Sequence, residues 1–206
     1  MTERHGVEWM AEDGFTLVEL MISAALISLA SVLVVTLLLS ATGIMQGVEV
    51  RSKADRQSQT IATTLESDIR SAISVDGIAP VVELAGPNEL IIYRKQTATG
   101  APTRHHYYLA ADKLMLGVLT ATGTDPSWTF SGAERATQVG QYVRNNSTNV
   151  LFKYYDANGV QLAAPTTVTD RAKIRKIAVS IIADVDTIKA PPAYTTTLEI
   201  NIRNQR

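Results

Sequence analysis

The sequence of 206 residues contains no cysteine. This absence excludes disulfides, thiolate chemistry and cysteine metal sites together. Charged residues are also absent between Glu19 and Glu49, and most of that interval is apolar. The formal net charge is -1 at pH 7, which does not indicate a nucleic-acid binder by bulk charge.

The motifs of common enzyme classes are missing as well. No Gly-x-Ser-x-Gly, phosphate-loop or zinc motif occurs. Arg104-His105-His106 is a histidine cluster, but neighbouring residues of a strand point to opposite faces, so we predict a solvated strand rather than a metal site. Residues 156–159 lack the twelve-residue acidic pattern of a calcium loop and predict a turn. We therefore interpret the chain as a structural protein, and we predict no catalytic residue, cofactor or metal ion.

An apolar run that reaches Met45 fills the uncharged interval. It is long enough to cross a bilayer as a helix, which needs about 20 apolar residues. Glu19 stands at the start of this run, where a charge at the edge of hydrocarbon is expensive and usually functional. A simpler interpretation is a carboxylate at a helix N-terminus, which the helix dipole favours by about 0.3 to 1 kcal/mol.

The residues before the run form a short polar leader, 1–14, that ends in Gly14. A secretory signal peptide would place its small-residue cleavage site after the apolar core rather than before it. The segment Ser-Ala-Thr-Gly at 40–43 is a weak competitor of that kind. If cleavage occurs at Gly14, the mature chain keeps the apolar helix.

Gly14 is followed without a gap by the residues FTLVE, which run from Phe15 to Glu19. Coupled to the apolar run, this pattern resembles the cleavage and methylation motif of type IV pilins and type II secretion pseudopilins. The resemblance implies that a membrane prepilin peptidase cuts after Gly14 on the cytoplasmic side and that the new amine of Phe15 is methylated. It also implies that Glu19 pairs with the terminal amine of a neighbouring subunit, because an unpaired buried carboxylate would cost several kcal/mol.

The same resemblance implies where the chain resides and what it contacts. Its partners would be the prepilin peptidase, other pilin or pseudopilin subunits, the membrane platform protein of the assembly machine and, before assembly, membrane lipid. The chain would cross the bacterial cytoplasmic membrane once, with its N-terminus in the cytoplasm, and then join a cell-surface pilus or a periplasmic or cell-wall filament. Charge bias alone favours the opposite orientation, because Arg51, Lys53 and Arg56 follow the run and only Arg4 precedes it.

A second helical segment follows the apolar run. Residues 49–74 contain no proline or glycine, and Ile61, Leu65, Ile69, Ala72 and Ile73 recur at helical spacing. We therefore predict one long helix with an apolar half and an amphipathic half. The charged residues assigned to its wetter faces are Arg51, Lys53, Asp55, Arg56, Glu66, Asp68 and Arg70.

Beyond residue 77 the apolar period changes to two, which indicates strands. Segments 90–94, 104–109 and 113–119 predict an antiparallel meander, and 150–162 predicts a hairpin. Alternation around Ile177 and Ile200 predicts two further strands. Residues 120–149 predict mostly loops, anchored by Trp128 and Phe130, with a strand near Tyr142 and Val143.

The predicted fold is α+β and pilin-like, with the long N-terminal helix packed on an antiparallel β-sheet. The predicted segments are the leader 1–14, an apolar transmembrane or filament-core helix 15–45, its amphipathic half 46–76 and a β-rich domain 77–206. The strands of the soluble part resemble those of larger minor pilins and J-type pseudopilins. That likeness implies a low-copy subunit of an initiation or tip complex, without separating a type IV pilus, a competence pilus and type II secretion.

A function of a different class remains open, namely a membrane-tethered module that binds DNA or a surface polymer in a competence apparatus. Its candidate patch is the densest basic run, formed by Arg171, Lys173, Arg175 and Lys176, since each contact with a phosphate releases counterions. The neighbouring Asp170 and the modest net charge favour a different interpretation, in which these residues form the solvated start of a strand.

Overall fold

The computed structural model describes residues 16–75, 80–95, 97, 100–163, 167–186 and 193–203. The predicted leader and cleavage site, with Gly14 and Phe15, lie outside these described residues. The chain divides into two compact units, Met1–Gln46 and Gly47–Arg206.

Helix α1 spans Leu17–Arg70. It starts at Thr16, whose hydroxyl accepts a hydrogen bond from the Glu19 N–H at 3.3 Å, as at a helix N-cap. It ends before the predicted end near Ser74, because the backbone of Ala72 leaves the helix and forms a β-bridge with Arg94.

The part of α1 that belongs to the first unit is apolar and exposed. Among the described residues, α1 is the one helix long and apolar enough to cross a membrane. Its hydroxyl groups bond to its own backbone: Ser23 donates to the Glu19 carbonyl and Thr36 to the Val32 carbonyl, both at 2.8 Å. Such internal satisfaction of polar atoms suits a helix that enters an apolar environment.

In the second unit, α1 buries the predicted apolar stripe. Ile61, Leu65, Ile69 and Ala72 are each 0% exposed. The first three share one face of α1, so this part of the predicted stripe is confirmed. Ala72 and Ile73 lie beyond the end of the helix, and Ile73 is only partly buried, so the last part of the predicted stripe is wrong.

Eleven strands and one short helix follow among the described residues. They are β1 (Val82–Ala85), β2 (Glu89–Arg94), β3 (Thr103–Ala110), β4 (Lys113–Thr120), β5 (Thr122–Thr124), β6 (Ser127–Thr129), β7 (Arg135–Gln141), β8 (Phe152–Tyr155), β9 (Gln161–Leu162), α2 (Val168–Ala172), β10 (Lys176–Ala183) and β11 (Tyr194–Asn201). They form a five-stranded sheet of order β1-β2-β3-β4-β7, a four-stranded sheet of order β11-β10-β8-β9 and the hairpin β5-β6. All pairings between these strands are antiparallel, which confirms the predicted meander β2-β3-β4 and the hairpin β8-β9.

Two backbone contacts join segments of the two larger sheets. Val143 forms a β-bridge with Ala183, and the Phe152 N–H donates to the Pro87 carbonyl at 2.9 Å. One hydrophobic core contains the buried face of α1 and residues from both sheets. The predicted α+β, pilin-like fold is therefore confirmed, with two sheets around the helix where the sequence predicted one.

The region 120–149 is more regular than predicted. It contains β5, β6 and the edge strand β7, whose residues are mostly exposed and therefore lack the alternation that marks a half-buried strand. Near the predicted strand at Tyr142 and Val143, Tyr142 has a φ of 65° and Val143 makes a single bridge, so the regular strand ends just before them. Trp128 and Phe130 are partly rather than fully buried.

Two leucines of α1 provide a matched test of this arrangement. Leu65→Ala should destabilise the globular unit by about 2 to 5 kcal/mol, because it opens a cavity at a fully buried position. Leu38→Ala, at a position 60% exposed, should leave unfolding of the globular unit unchanged. The measurement is chemical unfolding of the full chain in detergent micelles, and equal effects of the two substitutions would contradict the packing described.

Candidate functional site

The first turn of α1 places a carboxylate within an exposed apolar surface. Glu19 is exposed there, and so are Leu17, Leu20 and Met21, by 76%, 64% and 63%. Any apolar surface that covers this turn would remove water from Glu19, and a carboxylate without a cationic partner would then be strongly disfavoured.

Glu19 also has a local structural context that the sequence analysis missed. Thr16 and Glu19 have the Thr-x-x-Glu spacing of a capping box, and the Thr16 hydroxyl caps the Glu19 N–H. The helix dipole favours a negative charge in this turn. The Thr-x-x-Glu spacing in the sequence could have predicted this cap. The cap is compatible with a second role of Glu19 in assembly.

In the second unit, Asp68 corrects one prediction. It was assigned to a wetter face of α1, yet it is only 5% exposed. It pairs with Arg94 of β2, lies 2.7 Å from Nδ1 of His105 and accepts a hydrogen bond from the Tyr107 hydroxyl. The sequence position of Asp68 could have predicted its burial. Asp68 stands at helical spacing from Ile61, Leu65 and Ala72, as the residues of the predicted stripe do from one another.

The contacts of this inner network shift the pKa values of Asp68 and Tyr107. Burial opposes the charge of Asp68, but hydrogen bonds from His105 and Tyr107 and the charge of Arg94 outweigh it and hold the pKa of Asp68 below its ordinary value. Burial, followed by the adjacent charge of Asp68, raises the pKa of Tyr107. Asp68 is therefore an anionic acceptor that ties α1 to β2 and β3.

The other histidine of the predicted cluster lies on the opposite face of β3. His106 has Nδ1 at 2.9 Å from Glu134 and Nε2 at 2.7 Å from Glu89. The expectation that the two histidines face opposite sides is confirmed. The expectation of a solvated strand is wrong, because His105 is buried and His106 is partly buried between carboxylates from other elements.

Arg104 links two of the carboxylates on this outer face. It pairs with Glu83 of β1 at 2.6 Å and also with Glu134, and the Tyr93 hydroxyl donates to Glu83 at 2.6 Å. Burial raises the pKa of Glu83, but bonds from Arg104 and Tyr93 outweigh it, so the net shift is downward. The hydrogen bond to Glu83 raises the pKa of Arg104.

Gly117 of β4 allows Glu134 to reach these partners. A Cβ atom at Gly117 would overlap the carboxylate of Glu134. The carboxylate therefore lies directly over the glycine, at a distance that any side chain would obstruct. Glu134 and Gly117 are far apart in sequence, and no local pattern predicted this contact.

The basic run does not form an isolated cationic patch. Lys173 pairs with Asp170 at 2.9 Å, and Lys176 pairs with Glu199 at 2.9 Å while its Nζ lies 4.7 Å from the centroid of the Tyr155 ring. Arg175 donates to the carbonyls of residues 172 and 174, and Arg171 belongs to α2. The run thus covers the end of α2 and the entry to β10, where several of its cations have partners within the chain.

Within the part of the chain that the structure describes, no group of three or more histidine, aspartate or glutamate side chains is arranged to hold a metal ion. Residues 156–159 form a turn, as predicted. Oδ1 of Asp156 accepts the N–H groups of Asn158 and Val160 at 2.9 and 2.8 Å.

Fold and N-terminal segment together define a pilin-like α+β protein with one exposed apolar helix. A family model described as the prokaryotic N-terminal methylation motif matches residues 9–35. The match supports a pilin- or pseudopilin-type subunit, a structural class rather than an enzyme, and implies processing by a prepilin peptidase and assembly with other subunits. The apolar helix is consistent with membrane anchoring. No curated protein matches the chain.

Replacing Asp68 by asparagine tests the inner network. Asp68→Asn should cost about 2 to 4 kcal/mol at neutral pH, because it removes the charge that Arg94 pairs with. Since the pKa of Asp68 is lowered on folding, its stabilisation is present above about pH 4 and is lost as the pH falls through the lowered value. The difference between the two chains should therefore shrink in acid.

The matched control is Glu66→Gln, which removes a half-buried ion pair with Arg70 at the surface of α1 and should cost less than about 0.5 kcal/mol. Urea unfolding of the full chain in detergent micelles at several pH values gives both comparisons. A difference between the wild-type chain and Asp68→Asn that stays constant into strong acid would refute the assigned ionisation.

Proposed function

We propose that the chain is a minor pilin or pseudopilin, made as a precursor and assembled at low copy into a type IV pilus or a type II secretion-like filament. The observation that carries the proposal is the methylation motif at residues 9–35, which includes the first part of an exposed apolar helix. The likeness of the soluble strands to minor pilins and J-type pseudopilins supports the place in an initiation or tip complex. The function is therefore assembly rather than catalysis.

The proposed precursor has four segments with different tasks. Residues 1–14 are a leader that the peptidase removes after Gly14, and residues 15–45 are the transmembrane and then filament-core helix. Residues 46–76 are the amphipathic segment, whose helix ends at Arg70, and 77–206 are the β-rich domain. The precursor waits in the cytoplasmic membrane with its N-terminus in the cytoplasm until the platform protein and other subunits receive it.

Glu19 gives the assembly step its register. Cleavage creates an amine on Phe15, and a neighbouring subunit presents Glu19 within the same apolar layer. An isolated carboxylate in that layer is expensive, whereas a carboxylate paired with an amine is much less so. The helix therefore advances until the two charges meet.

The alternative of a DNA-binding module rests on the basic run. Contacts of Lys173 with Asp170 and of Lys176 with Glu199 support a role of these cations in the fold. Phosphate contacts would compete with those pairs. We therefore assign the basic run to the support of α2 and β10 and retain the filament subunit as the proposed function.

Processing is tested at the proposed cleavage site. Gly14→Val should block the cut, because a branched side chain obstructs the close approach of the backbone to the peptidase. Mass spectrometry of the membrane fraction should find the wild-type chain starting at Phe15 and the variant retaining residues 1–14. A wild-type chain starting at Met1, or after Ala41, would contradict the proposal.

Assembly is tested separately at Glu19. Glu19→Ala should still be processed, yet its incorporation into filaments should fall at least about tenfold, because the amine of the neighbour loses its partner. Quantitative mass spectrometry of purified filaments measures incorporation, and it also shows whether the wild-type chain is substoichiometric. Glu49→Ala, which removes an exposed carboxylate farther along α1, is the control. Unchanged incorporation of Glu19→Ala would exclude amine pairing.

A further inference from the structure

Residues 130–134, between β6 and β7, lie against the outer face of the five-stranded sheet and are called the strap here. At one end, the ring of Phe130 lies 5.1 Å from that of Tyr93. At the other end, Glu134 lies over Gly117 and contacts Arg104 and His106. Tyr93 is only 3% exposed, so the strap helps to cover an aromatic residue on a face that would otherwise meet solvent.

His106 links the strap to β2. Both of its ring nitrogens face carboxylate oxygens, Glu134 on one side and Glu89 on the other. Ionised carboxylates accept hydrogen bonds and cannot donate them. Both contacts are therefore hydrogen bonds only while the imidazole carries two protons, and a neutral ring can serve only one of the two glutamates.

The surroundings of His106 come from every neighbouring element of this face. β2 contributes Glu89 and Tyr93, and β4 contributes the uncharged Gly117. The other charged or titratable groups next to His106 are Tyr108 of β3 and Glu134 of the strap. Arg104 of β3 binds Glu134 and also pairs with Glu83 of β1. Arg171 of α2 acts on Glu83 by its charge. Arg104 keeps its charge at any physiological pH. An imidazole, by contrast, can donate from both ring nitrogens or from only one, depending on its protonation.

We propose that the strap is a pH-responsive cover of the outer sheet face, held closed by the doubly protonated ring of His106 between Glu89 and Glu134. When the ring loses a proton, Glu89 and Glu134 compete for the remaining N–H. The strap then keeps its hydrogen bond to His106 for only part of the time and opens more often, which exposes Tyr93. The device acts outside the cell membrane, where the proposed filament would meet the pH of its surroundings.

A single spin label tests the proposal, because the chain has no cysteine of its own. Ser131→Cys places the label at an exposed position of the strap. In the full chain in detergent micelles, the mobile fraction of the label should rise about tenfold between about pH 5.5 and 8.5, the effect of losing one charged hydrogen bond. A label at Thr197→Cys, exposed on β11, should not change.

Two substitutions separate a switch from a merely structural histidine. His106→Gln should make strap mobility independent of pH. Glu89→Gln should also suppress the pH response, but with the strap closed throughout, because the amide can donate to the unprotonated ring nitrogen and leave the other N–H for Glu134. An unchanged label in the wild-type chain, or a full pH response in the folded Glu89→Gln chain, would overturn the proposal.

Discussion

The buried carboxylate of Asp68 is the interaction on which the globular unit depends. It sits on the apolar stripe of α1, where a leucine would fit the pattern better, and it receives a cation, an imidazole and a phenol from β2 and β3. Apolar contacts along the stripe are tolerant of small shifts, whereas four polar groups must meet in one geometry. Asp68 therefore sets the rotation and height of the helix against the five-stranded sheet.

Both faces of that sheet carry a network of charged hydrogen bonds, but the two networks have different roles. On the inner face, charged groups are shielded in the core and fix the position of the helix. On the outer face, Arg104 and His106 bind carboxylates from β1, β2 and the segment before β7, where water has partial access. Alternation along β3 separates the two networks, because adjacent side chains point to opposite sides.

The sequence predicted the elements whose apolar periodicity is complete. The stripe of α1, the meander β2-β3-β4 and the hairpin β8-β9 were found where expected, since each buries one regular face. Strand β7 was not predicted, because it is an exposed edge strand without a regular apolar face. The two charge networks also escaped, because Asp68 meets His105, and Glu134 meets His106, only after distant segments have packed.

The N-terminal segment differs from the charge networks, because the functional prediction came from its local sequence alone. Its motif is contiguous, so no tertiary contact was needed to find it, and the family match covers the same residues. The globular unit is attached to that segment by one continuous helix. What such a domain contributes to a filament is decided by its surface, for which local patterns are poor guides.

The hydrogen bond between Thr16 and Glu19 has a consequence for the order of events in maturation. Under the proposed cleavage, the scissile bond lies upstream of Thr16, so the cap stays with the product. Removal of the leader would then need no unwinding and re-formation of the first helical turn. The new terminus would emerge one residue before a helix that is already closed, and the subunit would be ready for transfer as soon as the leader departs.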